Sequence, residues 1–271
     1  MKKRDAVLLM VLTLLFAINF SADAQTKKKK DKKGEFYFSW GYNKEWYTHS
    51  TVSVAQGQLG NNYKIQNITA HDHIGWNEGI FSLPISVPQY NYRIGFLINR
   101  KKNLFFEINF DHTKYIIADQ NAHITGTHNN KQVDTVVHFS DNVTANSSST
   151  FYYYLNNGAN FLLFNLVKRW PIYQSQNKTF KLDGLGKAGI GPLIPHVENM
   201  LFGVKNDPHF QVGGWNVGAE AALRATFYKT VYLEFANKVD YARYSGLGIN
   251  QGTMHQAFGT YELILNLGVT F

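Results

Sequence analysis

The 271-residue sequence contains no cysteine. A disulfide scaffold is therefore excluded, and so is any zinc or iron–sulfur centre held by thiolates. Charge is also scarce. Asp, Glu, Lys and Arg make up 17% of the chain, against roughly 25% in typical soluble domains. The one long apolar run, Ala6–Phe20, spans 15 residues, short of the ~20 that a membrane-crossing helix needs. Beyond Lys33 no segment sustains the 3.6-residue apolar period of an amphipathic helix. A P-loop, a dinucleotide fingerprint, H-E-x-x-H, an EF-hand loop and an internal repeat of fixed period are all missing. Gly184-Leu185-Gly186-Lys187-Ala188-Gly189 imitates a phosphate loop, but it falls inside a strand pattern where small residues permit close packing. Aromatic residues are abundant, with Phe 20 and Tyr 16 beside 22 glycines. That composition excludes a disordered chain, and the length suffices for a sizeable core.

The formal net charge is +8, which makes nucleic acid a partner to consider until the charge is located. Lys2, Lys3 and Arg4 precede the apolar run and Ala22-Asp23-Ala24 follows it. This is the order of a secretory signal with a small-x-small cleavage site. We therefore expect residues 1–24 to be a cleaved signal peptide, 25–34 a disordered lysine-rich periplasmic tail, and 35–271 the folded body. The signal carries +1 and the tail, with six lysines and Asp31, carries +5, so only +2 remains after Lys33. A nearly neutral body removes the support for nucleic-acid binding.

Alternation of period two runs through the body. Ala257, Gly259, Tyr261, Leu263, Leu265, Leu267, Val269 and Phe271 share one face, opposite Thr260, Glu262, Asn266 and Thr270. Residues 231–244 set Val231, Leu233, Phe235, Val239 and Tyr241 against Glu234, Lys238 and Asp240. Segments near 35–48, 89–100, 104–118, 151–168, 178–191 and 210–227 complete a set of eight strands. Their connections alternate between long (49–87, 119–150, 192–209, with 245–255 intermediate) and short (101–103, 170–177, 228–229). An even strand number with long and short connections on opposite ends is the pattern of a transmembrane β-barrel. Such strands exceed the ~9–11 residues needed to cross a bilayer, so they are expected to project beyond it.

At this point the chain resembles the small eight-stranded outer-membrane barrels grouped with OmpA and OmpX, and uncharacterised barrels of Bacteroidota. The residues carrying the resemblance are Tyr261 to Phe271, with its terminal aromatic, Phe38-Ser39-Trp40-Gly41-Tyr42-Asn43-Lys44, and Gln89-Tyr90-Asn91-Tyr92-Arg93-Ile94-Gly95. The resemblance implies an all-β, antiparallel, up-and-down transmembrane barrel in a Gram-negative outer membrane. It also implies contact with outer-membrane lipid and lipopolysaccharide, and insertion machinery that reads the strand ending at Phe271. It names no function.

The polar strand faces point into the barrel. They carry Arg93, Glu107, Asp111, Lys181, Asp183, Lys187, Glu220, Arg224, Glu234, Lys238, Asp240 and Glu262. Charges so interleaved are expected to pair and fill the interior, because unpaired buried charge is costly. Trp170, Tyr173, Phe227 and Tyr228 are expected to form the periplasmic aromatic belt, and Tyr90, Tyr115, Tyr152 and Tyr244 the outer one. All ten histidines fall at or beyond the outer end. His71, His73 and His112 are the candidate metal ligands, since two imidazoles of H-x-H share one side of an extended segment. His138-Phe139-Ser140 has the spacing of lipid A deacylase barrels, making His138 and Ser140 the candidate catalytic pair. No Glu follows the pair until Glu198, so the acid of that family is missing. The expected function is non-enzymatic, structural or surface-interacting, carried by loops 49–87 and 119–150 with Trp76 and Phe81 as contact residues, and needing no cofactor. Lipid A modification and metal or haem capture by the histidine-rich loops are the two alternatives.

Overall fold

The computed structural model describes residues 34–72, 89–141, 151–155 and 158–271. The expected signal peptide, the lysine tail, His73, Trp76 and Phe81 lie outside the described residues. Eight long strands follow one another in the chain: β1 (Phe36–Tyr47), β2 (Tyr90–Asn99), β3 (Leu104–His112), β4 (Phe161–Gln174), β5 (Phe180–Pro192), β6 (Gly214–Phe227), β7 (Val231–Ile249) and β8 (Gly252–Thr270). Each pairs antiparallel with the next in sequence. β1 also pairs with both β2, at Phe36↔Phe96, and β8, at Tyr37↔Thr270, which closes the ring. The chain is therefore an eight-stranded antiparallel barrel with no free edge in its wall.

Period two decides which way each side chain faces. Outside lie Tyr92, Ile94, Phe96, Phe164, Leu166, Val217, Leu223, Leu233, Phe235, Val239, Leu265 and Leu267, all exposed. Inside lie Asn43, Arg93, Glu107, Asn109, Glu234, Lys238, Glu262 and Asn266, all buried. An apolar exterior around a polar interior inverts the arrangement of a soluble barrel and is that of a transmembrane one.

Tight turns join the strands at one end, such as Asn99–Asn103 and Phe227–Thr230. The opposite end carries the long connections, and these are largely β-structured. A hairpin of Ser50–Gln56 and Asn61–Ile68 pairs on one side with the top of β8, at Met254↔Val54, and on the other with Gln120–His128, at Ile65↔Ile124. Gln120–His128 continues into Lys131–Phe139. A second chain of pairings runs from Trp46 of β1 through His71, Ile116 and Tyr154 to the strand Glu198–Leu201.

Several boundaries differ from the expected ones. β4 starts at Phe161, because Tyr152–Leu155 forms a separate strand among the loops. β3 ends at His112, and Tyr115–Ile117 turns into the loop structure. The supposed intermediate connection 245–255 is strand almost throughout, turning only at Asn250–Gln251. The outer belt also needs correction. Tyr115, Tyr152 and Tyr244 are buried, since Tyr244 shares the inward parity of Tyr232 and Glu234 while the other two lie in the loop structure. Trp46, Trp215, Tyr241 and Tyr261 are the exposed aromatics at that level, with Trp215–Tyr241 and Trp46–Tyr261 ring pairs.

Two glycines leave room for inward tyrosines. The Tyr37 ring covers Gly95 and the Tyr232 ring covers Gly268, each where a Cβ would overlap the ring. Gly95→Val is expected to expel Tyr37 from Glu107, its hydrogen-bond partner at 2.7 Å, and to lower stability by ~1–3 kcal/mol. Gly57→Ala, where a Cβ meets nothing within 4 Å, is expected to change it by less than ~0.5 kcal/mol. Urea unfolding midpoints of the two variants in lipid vesicles check the contrast.

Candidate functional site

Three layers fill the space enclosed by the barrel and its loops. At the turn end the Arg224 guanidinium lies between the rings of Tyr37 and Tyr232, 4.2 and 4.1 Å from their centroids. Arg169 stacks over Phe105 at 4.5 Å and pairs with Glu35. Tyr37, Phe105, Val167, Leu185, Tyr232 and Ile264 form an apolar floor around these cations.

Above the floor lies a charge network of two groups. Arg93 Nη1 of β2 donates to both oxygens of Glu220 of β6, at 2.7 and 2.6 Å. Lys187 Nζ of β5 lies 3.1 Å from Glu107, 3.0 Å from Glu220 and 2.8 Å from Glu234. Arg224 Nε donates to Glu234 at 2.7 Å. Nearer the loops, Lys238 pairs with Asp111, with Asp240 at 2.6 Å and with Glu262 at 3.3 Å. All ten of these residues are buried, so their partners and not solvent compensate the charge. Lys181 and Asp183 stand outside the network as their own pair at 2.8 Å.

The parity of β1 also turns Glu45 inward, a residue that the eight-strand reading of the sequence did not use. Its neighbours are Asn43, which donates to it, and Tyr47, whose Oη lies 2.6 Å from both Glu45 Oε2 and the Lys114 carbonyl oxygen. Asp72 accepts from the Glu45 amide at 3.1 Å and pairs with Lys44 at 2.6 Å. These contacts fasten the first long loop to the barrel wall. Burial holds the Lys114 ammonium below its ordinary range, with Glu45 opposing the shift.

The third layer is apolar. Val52, Val54, Tyr63, Ile65, Tyr115, Ile124, Phe139, Tyr153, Leu193, Leu247, Met254 and Phe258 pack as one buried cluster of loop and strand-top residues. Its polar atoms pair with each other. Ser50 Oγ is 2.8 Å from Tyr115 Oη, Gln256 donates to Ser50 at 3.0 Å, and Tyr153 donates to Gln256 at 3.0 Å. The loops thus form a folded head on the barrel.

The candidate catalytic pair is not assembled. His138, exposed on the Lys131–Phe139 strand, has Nδ1 3.2 Å from Asn121 Oδ1 and Nε2 3.4 Å from Asp119. Ser140 engages neither nitrogen, whereas nucleophilic activation needs the base on the hydroxyl. The Ser140 amide instead donates to the Phe151 carbonyl, and its own carbonyl accepts from Tyr154. The candidate metal ligands are likewise engaged separately. His71 Nε2 faces Asp141 at 3.2 Å, while His112 bonds Asn160 at 2.8 Å and stacks on Tyr90 at 4.5 Å. Among the described residues no group of three His, Asp or Glu is placed to hold a metal.

Neither a protein-family profile nor a curated protein sequence matches this chain. Solved structures similar to it in course include Neisserial surface protein A, at 9% identity, covering 89% of this chain and 100% of that one with a TM-score of 0.37. Outer membrane protein OprG from Pseudomonas aeruginosa is 10% identical and covers 89% and 97%, with a TM-score of 0.38. The outer membrane protease OmpT from Escherichia coli is 9% identical and covers 91% and 99%, with a TM-score of 0.33. The barrel assignment stands on ring closure and on the faces of the strands.

Lys187 is the residue on which the network turns. Lys187→Met leaves Glu107, Glu220 and Glu234 crowded and under-compensated, and is expected to cost about 3–5 kcal/mol. Adding Glu107→Gln is expected to recover part of that loss. A double-mutant cycle by urea unfolding measures the coupling.

Proposed function

We propose that this chain is a non-enzymatic outer-membrane barrel whose role is to hold a rigid, β-structured head outside the cell for contact with an extracellular partner. The observation that carries this reading is the strand Lys131–Phe139. Among the described residues it pairs only with Gln120–His128, so no described strand covers its other side. The strand has nine residues, about 30 Å at the usual rise. Its sequence, with Val133, Thr135, Val136 and Val137, is rich in β-branched residues. An edge of that length is normally covered, bulged or shielded by charge. On a folded support, such a strand offers backbone donors and acceptors to an extended segment of another protein.

The head supports this role physically. Its buried aromatic and aliphatic cluster holds the edge in place, so a partner need not order a flexible loop before binding. The filled interior argues in the same direction, because eight strands enclose only enough space for side chains. Pore function finds no path through a floor of stacked arginine, a paired charge layer and an apolar head. Catalysis by His138 and Ser140 lacks the required hydrogen bond.

Cells producing the chain are expected to adhere to at least one member of a panel of immobilised extracellular proteins, several-fold above vector controls. Thr135→Lys with Val136→Lys is expected to remove that adhesion, because lysines on an edge block strand addition. Val136 is 61% exposed, so the change spares the core. Purified protein in planar bilayers is expected to give no stepwise conductance. Stepwise current, altered lipid A on mass spectrometry, or adhesion unaffected by the lysines overturns the reading.

A further inference from the structure

The turn end of the barrel is strongly basic, and the body as a whole is not. Arg100, Lys101, Lys102, Lys168, Arg169, Lys178, Lys181 and Lys229 lie in or beside the short turns. The carboxylates at that end among the described residues are Glu35 and Asp183, and both are taken, by Arg169 and Lys181 respectively. Lys101, Lys102, Lys168, Lys178 and Lys229 have no carboxylate within ion-pair distance among the described residues. Five lysines without a described carboxylate partner gather at one end of a body whose formal charge is only +2. Cations that repel one another without compensation lower stability unless something outside the chain neutralises them.

The surroundings of these cations identify what does so. Trp170, Ile172, Tyr173, Tyr228 and Phe271 are exposed at the same end. Exposed aromatics with a polar tip mark the depth of the lipid headgroups. Lys168 Nζ lies 6.0 Å from the centre of the Trp170 ring, so the cation and the interfacial aromatic share one level. Long basic side chains at that level lay their stems on apolar surface and carry their charge to the headgroups. A cleft of about 200 Å³ has Glu35, Arg169, Lys178, Lys181, Arg224 and Lys229 among its lining residues. Glu35 takes Arg169, Asp183 takes Lys181 and Glu234 takes Arg224, which leaves Lys178 and Lys229 at its edge. The ammonium groups of Lys178 and Lys229, with those of Lys101, Lys102 and Lys168 on the neighbouring turns, are of the kind that suits phosphate oxygens.

We propose that the turn end of this barrel is a phosphate-binding rim that holds the headgroups of anionic phospholipids in the adjoining leaflet. Its specificity is for phosphate bearing net negative charge at membrane depth. Zwitterionic headgroups place a compensating ammonium beside the phosphate and gain less. The rim also fixes the orientation of the barrel, since the loop end, with Asp119, Asp134, Asp141, Glu198 and Asp207, has no comparable excess of cations.

The test uses the full chain in neutral detergent with equal amounts of phosphatidylglycerol and phosphatidylcholine of the same acyl composition, read by native mass spectrometry. Retention of phosphatidylglycerol is expected to exceed that of phosphatidylcholine by about tenfold, because only the former brings a net negative charge to the lysines. The variant Lys101→Gln, Lys102→Gln, Lys178→Asn, Lys229→Asn is expected to abolish the preference, and the four corresponding Lys→Arg changes to keep it. Asparagine is chosen at Lys178 and Lys229 because both have positive φ, which asparagine tolerates. The neutral variant removes only cations without a carboxylate partner, so its thermal stability in neutral detergent is expected to equal or exceed that of the parent. Inorganic phosphate at equal concentration is expected not to displace the lipid. Equal retention of the two lipids, an unchanged preference in the neutral variant, or displacement by free phosphate overturns the proposal. So does co-sedimentation with purified anionic cell-wall glycan in place of lipid selectivity.

Discussion

Closing the sheet into a ring divides the side chains of this protein between two environments, with no third place to go. Every second residue of β1 to β8 faces a space too narrow for bulk water, and the others face an apolar surrounding. A charge on the inward face is therefore compensated by another inward charge or bears the cost of burial alone. This requirement makes the network of Arg93, Lys187, Arg224 and Lys238 a set of cross-braces. Lys187 on β5 reaches carboxylates on β3, β6 and β7, and Lys238 on β7 reaches β3 and β8. Lys187–Glu107, Lys187–Glu234 and Lys238–Asp111 join strands that are not neighbours in the wall, while Lys187–Glu220 and Lys238–Glu262 join directly opposite residues of adjacent strands. The wall is held along its circumference by the ladder and across its diameter by the ions.

The same constraint ends where the strands leave the barrel level, and the chemistry of the interior changes there. Above Glu45 and Lys114 the inward residues are Tyr115, Tyr153, Tyr244 and Phe258. With more backbone available from the loops, water is excluded by apolar packing. The remaining polar atoms, Ser50, Gln256 and the tyrosine hydroxyls, satisfy one another. The head is consequently a small conventional core resting on an inverted one. Asp72 joins the two, paired with Lys44 and accepting from the backbone of Glu45.

The barrel was legible in the sequence because its signal is local. Alternation in Leu233, Phe235, Val239 and Tyr241 against Glu234, Lys238 and Asp240 specifies both strand and face without knowledge of any partner. The eight strands and their up-and-down order follow from the spacing of such segments. The end of the barrel and the start of the head left no comparable mark. β7 and β8 stay paired to Ile249 and Gly252, past a bulge at Ser245–Gly246 that reverses the parity of β7, so strand structure alone does not reveal where lipid ends. Tyr152–Leu155 and Phe161–Gln174 read as one segment because both are apolar, although Asn160 separates them with a positive φ. Tyr115 and Tyr152 looked like belt residues because tyrosine suits an interface, yet their positions in the head depend on loop pairings between residues far apart in sequence. Glu45 was accessible to the same parity argument, through Tyr37, Ser39 and Asn43, but the aromatic residues around it drew the reading outward.

A barrel of this kind spends its interior on rigidity, and that choice shapes what its surface can recognise. A pore or an enzyme of the same size keeps polar groups accessible, whereas here each of the lumen cations Arg93, Lys187, Arg224 and Lys238 is buried and paired with lumen carboxylates. Recognition is left to the exterior, and the two ends of the exterior differ in kind. At the turn end, lysines on short turns act by charge and reach, and need little fixed geometry. At the loop end, the proposed partner would meet backbone groups of Lys131–Phe139, a strand anchored by the buried Phe139 and paired with the strand that carries Ile124. Backbone pairing tolerates wide variation in partner side chains, so its selectivity rests on whether a partner presents an extended segment of matching length. A rigid head is what makes such shape-based selection effective, because a flexible loop would lose the binding free energy in ordering itself.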